Sequence, residues 1–161
     1  MESGPIHIIF VCLGNICRSP LAASVFRRQV ARAGLSDSFR IDSAGISDYH
    51  VGEPPDPRMT ETAGRHGVAL TGRARQVREL DLLDADYVIA MDRENRVDIL
   101  ALMADAGSHV RLLRAWDPDA AGEPDVPDPY YGGAEGFEQV FEMVERSCRA
   151  LLHEIREERG L

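Results

Sequence analysis

The chain has 161 residues and 44% hydrophobic content, which suits one compact domain and requires no second. Its formal net charge is −9, and all 18 basic residues are arginine, so electrostatic repulsion argues against nucleic acid and membrane partners. Three cysteines make no disulfide framework, and the apolar run at 6–13 is too short to span a bilayer and lacks a leader's basic stretch, so a cytoplasmic location is expected.

Ile6-His7-Ile8-Ile9-Phe10-Val11 is β-branched and nearly all apolar, which predicts a buried parallel strand. A turn follows, with Cys12 and Arg18 bracketing five residues before a helical pattern begins at Ser19. A turn of that length between strand and helix can curl so that successive N–H groups point inward and bind a phosphate-sized anion. Arg18 adds a planar fork able to hold two oxygens, and the same positive field favours Cys12 as thiolate. The helix places Leu21, Val25, Phe26, Val30 and Ala33 on one side and Arg27, Arg28 and Arg32 on the other. Pro20 fits its first turn and Gly34 its exit.

Phe39 to Ser43 is a second strand, closed by Ala44-Gly45. Asp56-Pro57 reads as an N-cap and first helical position, opening a short helix that ends near Gly67. Tyr87 to Met91 is a third strand. Asp92 then caps a helix whose predicted buried face is Val97, Leu100, Ala101 and Ala104. Val110 to Leu113 is a fourth strand, and Trp116 to Gly136 is a loop rich in Pro, Gly and Asp. In the last helix Phe137, Val140, Phe141, Val144, Cys148, Leu151, Leu152 and Ile155 keep three–four spacing. Strands alternating with helices predict an α/β fold: a single domain over 1–161, with a four-stranded parallel sheet and helices on both faces. Ligands of such sheets bind beyond the strands' carboxyl ends, where the Cys12 loop, Ser43, Asp92 and the loop after strand four all fall.

Three segments, Cys12-Leu13-Gly14-Asn15-Ile16-Cys17-Arg18-Ser19-Pro20, Asp42-Ser43-Ala44-Gly45 and Asp128-Pro129-Tyr130-Tyr131-Gly132, occur in this order. Together they resemble the low-molecular-weight protein tyrosine phosphatases, of bacterial type, over nearly the whole chain. The resemblance implies a flavodoxin-like (phosphotyrosine phosphatase I-like) fold. It also implies hydrolysis of phosphotyrosine and small aryl phosphates through a cysteinyl-phosphate, with no cofactor. The expected partners are tyrosine-phosphorylated proteins or peptides, with inorganic phosphate as product and a monomer or weak dimer as the enzyme.

On that reading Cys12 is the nucleophile, Leu13, Gly14, Asn15, Ile16 and Cys17 supply the phosphate-binding loop, and Arg18 clamps the oxygens. Ser19 hydrogen-bonds the Cys12 sulfur. Asn15 sits where the loop turns sharply, which asparagine tolerates in the left-handed region. In the family the matching asparagine is tethered by polar neighbours. Ser43 matches one, while the place of a common histidine holds Gly72, so Gly72→His is expected to raise stability slightly and leave activity intact. Asp128 is the general acid, preferred over Asp117, Asp119 and Asp125 because it alone precedes two tyrosines and matches the family position. Burial or a neighbouring charge would have to raise its pKa. Asp117-Pro118 reads as turn chemistry. Leu13, Ile16, Tyr49, Tyr130 and Tyr131 are expected to line the substrate pocket. Cys17 is a candidate redox partner that spares Cys12, and Cys148 is core. The five histidines show no ligand spacing, so no metal site is expected.

Rival readings remain. Arsenate reductases share the loop but need further thiols, and Arg73 to Leu113 contains no cysteine. Protein-arginine phosphatases are implied by the resemblance to carry threonine at the place of Ile16, whose apolar side chain suits a phenyl ring instead. A sugar-transport phosphocarrier would need neither arginine clamp nor distant acid, and a binding adaptor could discard Cys12 and Asp128.

Overall fold

The computed structural model describes residues 4–103, 110–122, 124–129 and 133–161. Its centre is strand β1 (Ile6–Cys12), in which all seven residues are buried. β1 pairs in parallel with β2 (Phe39–Gly45) on one side and β3 (Tyr87–Ala90) on the other, and β4 (Val110–Leu112) extends the sheet beyond β3. Being covered on both faces, β1 needs no polar side, which explains its unbroken apolar run. The exception, His7, is buried within reach of Asp42 on β2, Nε2 to Oδ2 being 2.8 Å.

Alternate β1 residues feed two cores. Ile8 and Phe10 pack with α1 (Arg18–Arg32) and α5 (Ala134–Arg159), whereas Ile9 and Val11 join Leu82 of α3 (Glu79–Asp84) and Ile99 of α4 (Arg93–Leu102). The period of two along the strand sends alternate side chains to opposite faces of the sheet. α5 buries the stripe its spacing predicts, from Phe137 to Ile155, with Phe141 stacked on the His66 ring. α2 (Pro57–Arg65) starts as expected: the Asp56 carboxylate accepts from the N–H groups of Arg58 and Met59, and Pro57 takes the first position.

One element was not anticipated and two expectations need correction. α3 lies between the second predicted helix and the third strand; it is six residues long, with Leu80 and Leu83 exposed, so no amphipathic stripe marks it. α4 buries Asn95 and Ile99 with half-buried Leu100, not the predicted face: Val97 is 64% exposed, Ala101 is exposed, and Ala104 lies outside the described residues. β3 ends at Ala90 and β4 at Leu112, where a 3-10 turn (Leu113–Trp116) takes over, while α5 begins at Ala134 inside the predicted loop.

Candidate active site

β1 is the switch point of the sheet, since the chain leaves it toward β2 and later returns to its other side as β3. A crevice at the strand's carboxyl end is the general consequence. Cys12 is its last residue, followed by the loop 13–17 and the first turn of α1. The loop carbonyls of Cys12, Leu13 and Ile16 accept from the N–H groups of Ile46 (2.9 Å), Ser47 (2.9 Å) and Asp56 (2.8 Å). Tying these oxygens to neighbouring segments fixes the curl of the loop. The amide of Asn15 points at Cys12 Sγ, at 3.3 Å.

Asn15 has φ of 58°, the only non-glycine residue with positive φ among those described. Four bonds hold it there. Its Nδ2 donates to Ser19 Oγ (2.8 Å) and Ser43 Oγ (3.1 Å), its Oδ1 accepts from the Arg75 N–H (3.0 Å), and its own amide serves the sulfur. Ser19 Oγ lies 3.0 Å from Cys12 Sγ; toward a thiolate it can only donate. Gly45 closes the arrangement from β2: a Cβ there would stand 3.0 Å from Leu13 O, Gly14 C and Asn15 N, all backbone atoms. The resemblance identified the Ser43 tether. The Arg75 main chain as a further tether is a tertiary fact.

That tethering also bears on Gly72. Its φ is +89°, a conformation that side-chain-bearing residues rarely adopt. That conformation argues against the expected stability gain from Gly72→His, because backbone strain accompanies the new ring and Asn15 is already held.

Arg18 is buried, and its guanidinium is held chiefly by one arm. Nη1 donates to Asp92 Oδ2 (2.6 Å) and to the Val126 carbonyl (2.9 Å), and Nη2 lies 3.6 Å from Asp128 Oδ2. Burial by itself would lower the guanidinium pKa, but Cys12, Asp92 and Asp128 raise it overall. Asp92 does cap α4, as expected, through Oδ1 and the Asn95 N–H at 2.7 Å. Its hold on Arg18 was not anticipated, although its place at the end of β3 was the available signal. Asp128 is brought to the cleft as predicted, with its side chain 38% exposed and its Oδ2 facing the Arg18 guanidinium.

The cleft has a volume of about 180 Å³ and is lined by Cys12, Arg18, Asp128 and the expected Leu13 and Ile16. Tyr49 stands at its rim, 83% exposed. Ser47 and His50 line it too and were missed; both sit in the loop after β2, whose placement at a strand's carboxyl end was the only clue. The His50 ring lies over Gly14, where a Cβ would come within 2.9 Å of its Cδ2. Tyr130 and Tyr131 lie outside the described residues. Cys17 faces the same cleft, with its thiol pushed up by burial and then by Asp56, Cys12 and Asp128. Cys148 is core, as expected. Among the described residues no group of three or more His, Cys, Asp or Glu is placed to hold a metal ion, and no helix is long and apolar enough to cross a membrane.

The family described as low molecular weight phosphotyrosine protein phosphatase matches residues 7–161. The protein-tyrosine-phosphatase YfkJ of Bacillus subtilis is 45% identical, the match covering 97% of this chain and 99% of YfkJ. The human low molecular weight phosphotyrosine protein phosphatase is 39% identical, covering 94% and 96%. Among solved structures, a protein tyrosine phosphatase from Entamoeba histolytica superposes with a TM-score of 0.89 at 33% identity, covering 96% of this chain and 98% of that one. The YwlE arginine phosphatase, captured with a phosphorylated active-site serine in place of cysteine, also superposes, with a TM-score of 0.85 at 27% identity, covering 96% and 99%. With the match running from the second residue of β1 to the end of α5, the chain belongs to the low-molecular-weight phosphotyrosine protein phosphatase family.

Proposed function

We propose that the protein hydrolyses phosphotyrosine, in proteins or peptides, through a phosphoryl group carried on Cys12. One observation supports this above the rest: Cys12 Sγ has a hydroxyl at 3.0 Å and an amide at 3.3 Å, in the cleft that also holds Arg18 and Asp128. The sulfur attacks phosphorus in line, the P–O bond to tyrosine breaks, and the departing oxygen takes a proton from Asp128. Arg18 and the loop amides hold the equatorial oxygens as charge spreads onto them. Water then attacks the cysteinyl-phosphate, giving its proton to Asp128, and phosphate leaves while Ser19 supports the departing thiolate. Phosphoserine is too short to reach the sulfur from the same rim.

Ile16 gives the slot an apolar wall, which favours a phenyl ring over the guanidinium of phosphoarginine. Turnover of phosphotyrosine, phosphoserine and phosphoarginine peptides and reduction of arsenate, compared on one preparation, test the assignment. Phosphotyrosine should be preferred; faster turnover of phosphoarginine would replace this reading with its nearest rival. Cys12→Ser should abolish turnover and trap tyrosine-phosphorylated partners.

A further inference from the structure

Asp117 carries more than a turn. It is buried, its side chain fully so, and its carboxylate has four donors. Oδ1 accepts from Arg146 Nε (3.1 Å) and the Asp119 N–H (2.9 Å); Oδ2 accepts from Arg114 Nε (2.9 Å) and Arg146 Nη2 (3.1 Å). Arg146 belongs to α5, and Arg114 to the 3-10 turn after β4. The other arm of Arg114, Nη1, donates to the main-chain oxygen of Asp125 at 3.2 Å. From there the chain runs directly to the candidate acid. Asp125 binds Arg93 at the start of α4, the Val126 N–H donates to Met91 O (2.8 Å), and Val126 O accepts from Arg18.

A guanidinium fixed at one end by a buried carboxylate and at the other by a main-chain oxygen is a stiff strut. Here it spans from Asp117, itself held by Arg146 of α5, to Asp125 in a loop rich in proline and glycine whose described residues form no helix or strand. An acid works only within hydrogen-bond reach of the oxygen it protonates, and a 1 Å displacement can cost about 100-fold. We propose that Asp117 and Arg114 are positioning residues for Asp128: the buried Asp117–Arg114 pair sets the loop through Asp125 and so places the proton donor over the leaving oxygen. This rests on Asp128 being the general acid.

The test uses the dependence of rate on the leaving group. Phenol, with a pKa near ~10, needs a proton as it departs, whereas a strongly acidic phenol leaves as the anion. In Asp117→Asn, kcat/KM for phenyl phosphate should fall about 10- to 100-fold, while an activated aryl phosphate should change less than about twofold. Inhibition by inorganic phosphate should be unchanged. Because Asp117 acts through Asp128, Asp117→Asn combined with Asp128→Asn should be no slower on phenyl phosphate than Asp128→Asn alone. Arg114→Lys, which keeps a charge for Asp117 but cannot bridge to Asp125, should show the same selectivity even if Asp117→Asn does not fold. A loss equal for all leaving groups in Arg114→Lys, or additive losses in the double variant, would overturn the proposal. An Asp128→Asn enzyme without leaving-group selectivity would overturn the acid assignment instead.

Discussion

Asp92 Oδ2 lies 2.6 Å from Arg18 Nη1, while Oδ1 of the same carboxylate caps α4 through the Asn95 N–H. One side chain therefore joins the end of β3, the start of α4 and the base of the phosphate cradle. Because Arg18 is buried, its fork has few alternative orientations once Asp92 holds one arm. Asp92→Asn keeps a capping oxygen but takes a charge from beside the buried Arg18, so kcat/KM should fall about tenfold and stability by about 1–3 kcal/mol. Asp92→Ala should add about 1 kcal/mol of lost stability. Equal activity in Asp92→Asn and the parent enzyme would show that Arg18 needs no orienting partner.

Gly45 offers a second, purely steric test. Alanine there sets a methyl 3.0 Å from three backbone atoms of the phosphate loop, none of which can swing aside as a side-chain tip could. The loop must shift as a unit. Gly45→Ala should cost about 1–3 kcal/mol and weaken phosphate as a competitive inhibitor. Unaltered phosphate inhibition, measured against an aryl phosphate, would mean the cradle is set independently of β2.

Where local pattern alone decides, the sequence was readable: the buried stripe of α5, the Asp56-Pro57 start of α2, and the left-handed Asn15 all follow from residue type and spacing. α3 was hidden because only Leu82 among its apolar residues packs inward, its start being fixed instead by Asp81 accepting from the Arg78 N–H. α4 misled because its buried side begins with a polar residue, Asn95, while Val97 faces solvent. In the site, Cys12, Arg18 and Asp128 were named by motif. Asp92 as an arginine holder, His50 over Gly14, and Arg75 behind Asn15 depend on which loops meet at the sheet's edge, and no one-dimensional spacing encodes that.

Gly72 separates conformational strain from lost function. Its φ of +89° disfavours any side chain, although nothing lies within 4 Å of a Cβ added there. Gly72→His should therefore destabilise by about 1–2 kcal/mol, which for a chain of this size lowers Tm by roughly 2–8 °C. Activity should survive, because Ser19, Ser43 and Arg75 still hold Asn15. A higher Tm would show that the imidazole gains a bond worth more than the strain.

Cys17 shares the cleft with Cys12, and burial, together with Asp56, Cys12 and Asp128, keeps its thiol protonated while the enzyme works. Peroxide converts the Cys12 thiolate to a sulfenic acid, and attack by the Cys17 sulfur would form a disulfide and release water. A thiol reductant then restores both cysteines. Peroxide-treated parent enzyme should regain most activity with reductant, whereas Cys17→Ala should pass to the sulfinic acid and stay inactive. Equal recovery in both would remove Cys17 from redox protection.

Acid stability follows from three buried carboxylates. For Asp117, Asp81 and Asp56 burial alone would raise the pKa. Hydrogen bonds outweigh it: from Arg146, the Asp119 amide and Arg114 to Asp117; from Arg75 and Arg78 to Asp81; and from Arg58 and the Met59 amide to Asp56. All three are therefore depressed in the folded state. Their contribution is fully present above the unfolded value near ~3.9 and is lost as pH falls through the lower folded values. Urea unfolding should accordingly give a nearly constant free energy from about pH 7 to 5 and a decline below about pH 4. Asp117→Asn, which removes the charge at every pH and leaves Arg114 and Arg146 without it, should be less stable by about 3 kcal/mol at pH 7. Since the parent protein loses that same charge in acid, the gap between the two should narrow as pH drops below ~4. A gap that stays constant down to acid unfolding would mean that the buried carboxylate contributes through its shape and hydrogen bonds alone.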